Sequence, residues 1–544
     1  MSRQQTTDLA SVRDAAPLRK VAVDLALILS GAILFSLAFP NPLTDWGWFP
    51  VAYVALVPAF MVVRRSGWIA TFGYGFLYGF LAYVFHNYWL LNFHPLTIFV
   101  VPVIYGFYFL LVFPLLKAAD VFFPKYGYVL QVVIWMGYEY LRTQWFLGYS
   151  YGILGYSQYL FPSLVRLSSL TGVWGVSFLV VFPSAFAAAA LRDGWSTVSS
   201  FLRLHWIDIA AYLALFIGAL AYGVFSASDY SQAPTWRVAL VQQNVDPLRG
   251  GVRAYEQSLE ISLRQSRLAL EEEPDIVVWS ETSFVPGIDW HTRYRGSPES
   301  YELVRRLTEF MATQEVPYVI GNSDGQLQRG ASGELERVDY NAVVLYDEGG
   351  IVDTYRKIHL VPFTEHFPYR GILTPIYSAL QHVDTNFWKA GDEYTVFEVD
   401  GVRFSTPICF EDTFGYLSRE FIRNGAQVIV NLTNDSWSKS VPAAMQHMAM
   451  AVFRAAENRR SVVRSTNGGM TTIIDPNGVI TDIYPAFVEG YLVGDVPVYD
   501  DEETLYTRWG EWLAYVFIGL AAAGLVFGAL RLLLSRRVDN RIDV

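Results

Sequence analysis

The sequence predicts two structural classes in one chain: a membrane α-helical bundle of about eight spans and a layered α/β domain placed before the last span. Three observations carry that reading: an apolar composition, a series of long apolar runs, and a change of texture after residue 226. Of 544 residues, 53% are hydrophobic and 16% aromatic, while only 17% are charged. That balance is too apolar for a wholly soluble chain. The formal net charge of −11 argues against a nucleic-acid partner, because binding a phosphate backbone needs clustered Lys and Arg.

A membrane crossing needs roughly 20 mostly apolar residues, since the hydrocarbon layer is about 30 Å thick. Seven stretches, roughly 21–39, 46–63, 68–91, 96–116, 127–147, 165–191 and 207–225, approach that length, and 511–534 adds an eighth. The second is short and contains proline. Loop charges test the count independently, because cytoplasmic loops collect Lys and Arg. Arg64 and Arg65, Lys117 and Lys125, Arg192 and Arg203, and Arg536, Arg537 and Arg541 fall on one side, whereas the loops near 40–46 and 92–96 carry none. The resulting plan is a cytoplasmic tail (1–20), a seven-span bundle (21–226), an extracytoplasmic domain (234–500), a final span (511–534) and a cytoplasmic tail (535–544). The first apolar run lacks a small-residue cleavage site and reads as an uncleaved signal anchor. Glu139 and Arg142, three residues apart within a span, are expected to neutralise each other on one helix face. The aromatic residues Tyr74, Tyr78, Tyr83, Tyr88 and Trp89 are expected to pack helices or sit at the interface. His86 and His94 have no companions at metal-ligand spacing.

Within 226–511, apolar runs of strand length alternate with helical stretches and Gly/Asn/Asp/Pro turns, as in a layered α/β domain. Strands are expected at Trp236 to Val241, Ile276 to Ser280, Pro317 to Ile320, Asn341 to Tyr346, Val402 to Cys409, Gln427 to Leu432 and Met470 to Ile474. Helices are expected near 252–272, 301–314, 413–424 and 443–460.

Three segments place a reactive side chain where a strand gives way to a loop, a common seat for catalytic groups. They end in Glu281 (Val278-Trp279-Ser280-Glu281), begin at Lys357 (Lys357-Ile358-His359-Leu360-Val361-Pro362-Phe363), and surround Cys409 (Pro407-Ile408-Cys409-Phe410-Glu411), the only cysteine. Taken singly, each has an ordinary structural explanation: a solvated charge, a loop lysine, a core thiol. Their combination shifts the balance. An acyl-transferring thiol needs a base and a nearby cation, and Glu281 and Lys357 supply both, with Lys357 also placed to stabilise a tetrahedral oxyanion.

These motifs resemble the nitrilase superfamily and, within it, the apolipoprotein N-acyltransferases. The resemblance extends over nearly the whole chain. It rests on Val238-Ala239-Leu240-Val241-Gln242-Gln243-Asn244, Trp279-Ser280-Glu281-Thr282, the Lys357-to-Pro368 loop, Ile408-Cys409-Phe410-Glu411, Asn431-Leu432-Thr433-Asn434-Asp435-Ser436-Trp437 and Arg464-Ser465-Thr466-Asn467-Gly468-Gly469. It implies a nitrilase-like α-β-β-α sandwich for the α/β domain. It also implies Cys409 as nucleophile, Glu281 as general base, Lys357 as oxyanion-stabilising cation, and Glu365 and Glu411 as supporting or gating carboxylates. The sequence departs from the family pattern at Phe410, where many relatives have Tyr, at Gln243, which replaces a common Gly, and in the 246–251 loop, which lacks a Trp.

The implied activity is transfer of a fatty acyl chain from a membrane phospholipid, phosphatidylethanolamine being the usual donor, through a cysteine thioester to the N-terminal amine of a diacylated lipoprotein. No cofactor and no metal are expected, and the chain is expected to act as a monomer in the bacterial cytoplasmic (inner) membrane with its catalytic domain on the periplasmic side. The alternatives are a membrane-tethered nitrilase-like amidase using water as acceptor and a non-catalytic membrane scaffold. The aromatic loop 359–392, with Phe363, Phe367, Tyr369, Ile372, Leu373, Tyr377, Leu380 and Phe387, is expected to rest on the membrane and gate entry.

Overall fold

The computed structural model describes residues 4–93, 97–246, 250–330, 333–367 and 387–542, with side chains described between Leu18 and Ser535. The predicted gate residues Tyr369, Ile372, Leu373, Tyr377 and Leu380, and His94, lie outside the described residues.

Among the described residues, six helices are long and apolar enough to cross a membrane, within Leu18–Leu37, Trp68–His86, Thr97–Phe122, Val173–Ala190, Trp206–Phe225 and Trp512–Ser535. The other two of the expected stretches are broken or short helices. The stretch 46–63 forms a broken series, Phe49–Val51, Ala52–Ala55 and Val57–Arg65. Pro50 opens its first turn and Pro58 its last helix, and proline fits the first turn of a helix better than its interior. The stretch 127–147 gives only the 15-residue helix Gly127–Leu141. At about 1.5 Å per residue it falls short of the hydrocarbon layer, but it is buried along almost its whole length and does not have to match the lipid. Charges gather at one end of the bundle: Arg64 pairs with Asp120 at 2.7 Å, Arg65 with Asp24 at 2.9 Å, and the Lys117 ammonium donates to the Arg64 carbonyl.

The expected Glu139–Arg142 pair is corrected. Glu139 accepts from Trp135 Nε1, the Leu154 amide and Ser177. Arg142 donates to Tyr105 and to the carbonyls of Tyr149 and Tyr151. Glu139 and the Arg142 Nη1 are thus met by polar groups both from nearby turns and from the distant Ser177 and Tyr105.

The other end of the bundle carries the α/β domain. Its first sheet has the order β12-β1-β2-β3-β4-β5, with β1 Thr235–Gln242, β2 Ile276–Trp279, β3 Tyr318–Arg329, β4 Leu335–Asp347, β5 Gly350–Arg356 and β12 Gly490–Pro497. The second has the order β11-β10-β9-β8-β7-β6, with β6 Val396–Val399, β7 Val402–Ser405, β8 Val428–Asn434, β9 Ser461–Asn467, β10 Thr471–Ile474 and β11 Ile480–Tyr484. Side chains alternate across a strand, and β1 and β2 use both faces. Val238, Leu240, Ile276 and Val278 join the core shared with the second sheet. Ala239, Val241, Val277 and Trp279 pack under the helices Val252–Leu270 and Pro298–Met311 through Leu259, Leu303, Val304 and Leu307. The helices Gly415–Arg423 and Val441–Asn458 cover the second sheet, completing the α-β-β-α layering expected from the motifs. Every residue from Pro442 to Asn458 is buried, the polar Gln446, His447, Arg454 and Glu457 included, and this helix lies between sheet and bundle. Gln446 fixes the contact: it accepts from Trp89 Nε1 and donates to the carbonyls of Pro40 and His86. The strand expected to run from Val402 to Cys409 ends at Ser405, and Cys409 opens a short 3-10 turn, Cys409–Thr413.

Candidate active site

Strands β2 and β5 and the turn after β7 end near one another, and their first loop residues carry the three predicted groups. Glu281 follows β2, and its neighbour Thr282 adopts φ +47°, so the chain turns sharply once the carboxylate is placed. Lys357 follows β5, held by its amide on the Asn341 carbonyl and by its own carbonyl accepting from the Gly391 amide, 2.9 and 2.8 Å. Cys409 has φ +50°. A non-glycine residue rarely adopts this left-handed conformation, and here it turns the side chain out of the strand direction at the sheet end. Asn431 on β8 braces that turn by donating to the carbonyls of Pro407 and Cys409, 3.0 and 3.3 Å.

The Lys357 ammonium donates to Glu365 Oε1 at 2.9 Å and lies 3.4 Å from Glu281 Oε1. Asn341 joins the same two carboxylates, donating to Glu281 at 2.9 Å and to Glu365 at 3.2 Å. The second oxygen of Glu365 accepts the Val361 amide at 2.8 Å, so Glu365 folds its own loop around Lys357. Both oxygens of Glu411 are occupied by loop donors. One accepts the amides of Ile358 and His359 at 2.8 and 2.9 Å, the other accepts the Ile408 amide at 2.7 Å, and the Tyr355 hydroxyl donates across both. The loop bearing Lys357 and the turn bearing Cys409 are thereby clamped on one buried carboxylate.

Burial pushes the Glu281 carboxyl above its ordinary value; Lys357 pulls it back and Glu365 pushes it up again. Burial opposes the Lys357 ammonium, yet Glu365 and then Glu281 outweigh that and hold it above its ordinary value. Burial and the Glu281 charge push the Cys409 thiol well up, against the pull of Lys357. The resting sulfur is therefore a thiol beside a raised carboxylate. Such a pair suits proton transfer during attack better than a standing thiolate.

All five sequence-predicted residues, Glu281, Lys357, Glu365, Cys409 and Glu411, meet at this one place. Sequence reading missed Asn341 and Tyr355. The signal for Asn341 was present, because a lone amide opening an otherwise apolar strand must find a buried partner. Tyr355 gave no such signal, since tyrosine is an ordinary strand residue. A cavity of about 380 Å³ opens beside the site, lined by Thr143, Gln144, Trp145 and Phe146 from the bundle and by Ile358, His359 and His366 from the catalytic loop. Phe363 of that loop, at φ +66°, packs edge-on to Phe146 with ring centroids 5.4 Å apart.

A carbon-nitrogen hydrolase domain matches residues 237–504, and an apolipoprotein N-acyltransferase N-terminal domain matches residues 31–186. Apolipoprotein N-acyltransferase 1 of Treponema denticola is 42% identical over 508 residues, covering 90% of this chain and 93% of that protein. The chain belongs to the apolipoprotein N-acyltransferase family. Apolipoprotein N-acyltransferase 1 of Treponema pallidum is 40% identical over 94% of this chain and 97% of its own length. The family member from Geobacter metallireducens is 29% identical over 94% of this chain. The two matched regions take in most of the bundle and the sandwich, so both parts belong to one acyltransferase.

Proposed function

We propose that this acyltransferase moves a fatty acyl chain from a phospholipid to the N-terminal amine of a diacylated lipoprotein in two steps at Cys409. In the first, Glu281 takes the proton of the thiol as sulfur attacks an ester carbonyl of the lipid. The oxyanion forms beside the Lys357 ammonium. Collapse breaks the ester C–O bond, the proton on Glu281 passes to the departing oxygen, and a lysophospholipid leaves an acyl thioester on Cys409. In the second step the acceptor amine attacks the thioester carbonyl, Glu281 receives the amine proton, and as the C–S bond breaks it passes that proton to the departing sulfur, returning the thiol and the carboxylate and releasing an amide. Phosphatidylethanolamine is the donor we assign, and the bacterial cytoplasmic membrane, with the sandwich on the periplasmic side and residues 1–20 and 535–544 inside, is the setting. The enzyme acts as a monomer.

The observation that carries this reading is the meeting of Glu281, Lys357 and Cys409 at the seam between sandwich and bundle, with a cavity lined from both. Drawing an acyl chain into water costs about 0.8 kcal/mol per methylene, so a soluble site would meet a large barrier that a seam against apolar helices avoids. The amidase reading shares the first step and differs in the acceptor. Protein charged from phospholipid is offered either a diacylated lipopeptide with a free N-terminal amine or the same lipopeptide N-acetylated. Discharge by the free amine alone, with negligible loss to water, is expected; equal hydrolysis with and without the amine would replace transfer by amide or ester hydrolysis.

A further inference from the structure

Behind the nucleophile lies a second charged cluster that the two-step chemistry leaves unused. His447, from the helix Val441–Asn458, is bonded on both ring nitrogens: Nδ1 to Asp435 Oδ1 and Nε2 to Asp412 Oδ1, each at 2.9 Å. Asp412 belongs to the same short turn as Cys409. Arg464 on β9 pairs with Asp412 and lies 3.7 Å from the other oxygen of Asp435. All four side chains are buried. Each ring nitrogen thus faces a carboxyl oxygen, and two basic side chains, His447 and Arg464, face two acidic ones.

The cluster also touches the bundle. His447 lies against the Tyr151 ring, with centroids 6.1 Å apart, and its neighbour Gln446 is the residue bonded to Trp89, Pro40 and His86. The turn after Asp435 is pinned as well, since Asn92 donates to the Ser438 carbonyl at 2.5 Å and Trp437 packs on Trp89 and Phe93. A continuous path therefore runs from the outer loop of the bundle through His447 to the turn that holds the sulfur.

We propose that His447 is a positioning residue for the nucleophile: bridged between Asp412 and Asp435 and completed by Arg464, it seats the Cys409 turn on the bundle and cancels two carboxylate charges that would oppose a thiolate. This rests on Cys409 being the acyl carrier. The charged and titratable groups around the sulfur are Glu281 from the end of β2, Lys357 and Glu365 from the loop after β5, Glu411 and Asp412 from its own turn, Asp435 after β8, His447, Arg464 and Tyr151. Of these, Glu281 and Asp435 act against the thiolate, and Lys357 acts for it. Removing His447 leaves Arg464 as the one basic group facing both Asp412 and Asp435, whereas removing the charge of Asp435 leaves His447 and Arg464 facing Asp412 alone. The two changes therefore push the sulfur in opposite directions, which a purely structural brace does not do.

The test is alkylation of full-length protein in detergent micelles by iodoacetamide. Cys409 is partly exposed and is the only cysteine, so in protein freed of any thioester by hydroxylamine the reagent reads this thiol whatever its part in turnover. Below the thiol's titration midpoint the rate follows the thiolate fraction, so moving that midpoint by one on the pH scale changes the rate about tenfold. His447→Gln is expected to alkylate about tenfold more slowly at fixed pH, Asp435→Asn faster than wild type by a similar factor, and the double variant near the wild-type rate. A His447→Gln rate equal to wild type, or two single variants that change the rate in the same direction, overturns the proposal. Should His447→Gln fail to fold, Asp435→Asn alone decides: acceleration supports the charge balance and slowing or no change refutes it. Cys409→Ala turnover, measured alongside, reports separately on the acyl-carrier reading, since activity there removes that reading without altering the alkylation rates.

Discussion

Glu281 sits between a like charge and a cation, and the two control its work in opposite senses. Because burial and Glu365 raise its pKa, the ionised, proton-accepting form is lost as pH falls through a value above the ordinary carboxylate range near 4.3. The acid limb of kcat/KM is therefore expected above that range. In Glu365→Gln the repulsion disappears and the limb moves to lower pH, which a pH profile of thioester formation would record; an unmoved or raised limb would contradict the assignment. Glu281→Gln keeps the bond from Asn341 but accepts no proton, and thioester formation is expected to slow by about 10²- to 10⁴-fold, the usual worth of a general base. That these residues would come together was legible in the sequence because each reactive residue closes or opens a strand motif. His447 and Asn341 were not, because their partners lie far away in sequence and only folding shows which polar group meets which.

At the level of elements, the clamp on Glu411 makes two loops one unit. Glu411→Gln retains the shape but replaces one accepting oxygen with an NH₂ that meets N–H donors. Since a buried unpaired donor costs about 1–3 kcal/mol, a loss of roughly 2–4 kcal/mol in stability is expected, measurable as a lowered Tm with the loops 357–367 and 408–413 more open to hydrogen exchange; an unchanged Tm would show the clamp to be idle. In the bundle, Gly75 and Gly79 let Trp68–His86 approach Thr97–Phe122 so closely that an added Cβ at Gly75 would overlap the Phe109 carbonyl oxygen. Small residues serve this purpose between membrane helices. Gly75→Ala is expected to lower the Tm in detergent, whereas an equal change at Gly73, which has open space around it, should leave it unaltered. Hydropathy read the long apolar helices correctly. It did not foresee the breaks in 46–63 or the shortness of the helix in 127–147, because an apolar run signals burial from water and does not say whether lipid or protein covers it. The strands β5, β6, β9, β11 and β12 also went unassigned. They are short, or polar on one face, and their pairing is decided across the sheet.

For the whole molecule, the arrangement explains why a sandwich fold suited to soluble chemistry is joined to a bundle at all. The helix Val441–Asn458 is buried on every side between the two, and Thr143, Gln144, Trp145 and Phe146 wall the cavity that the Lys357 loop completes. On the two-step reading proposed above, acyl donor and acceptor meet the thiol without leaving an apolar setting. The most direct test of that claim is intact-protein mass spectrometry after incubation with a phospholipid of defined chain, followed by peptide mapping. One acyl adduct is expected, of the donor's chain mass, sensitive to hydroxylamine, located on Cys409 and missing from Glu281→Gln; a fully active protein that never carries an acyl group on Cys409 would contradict the account.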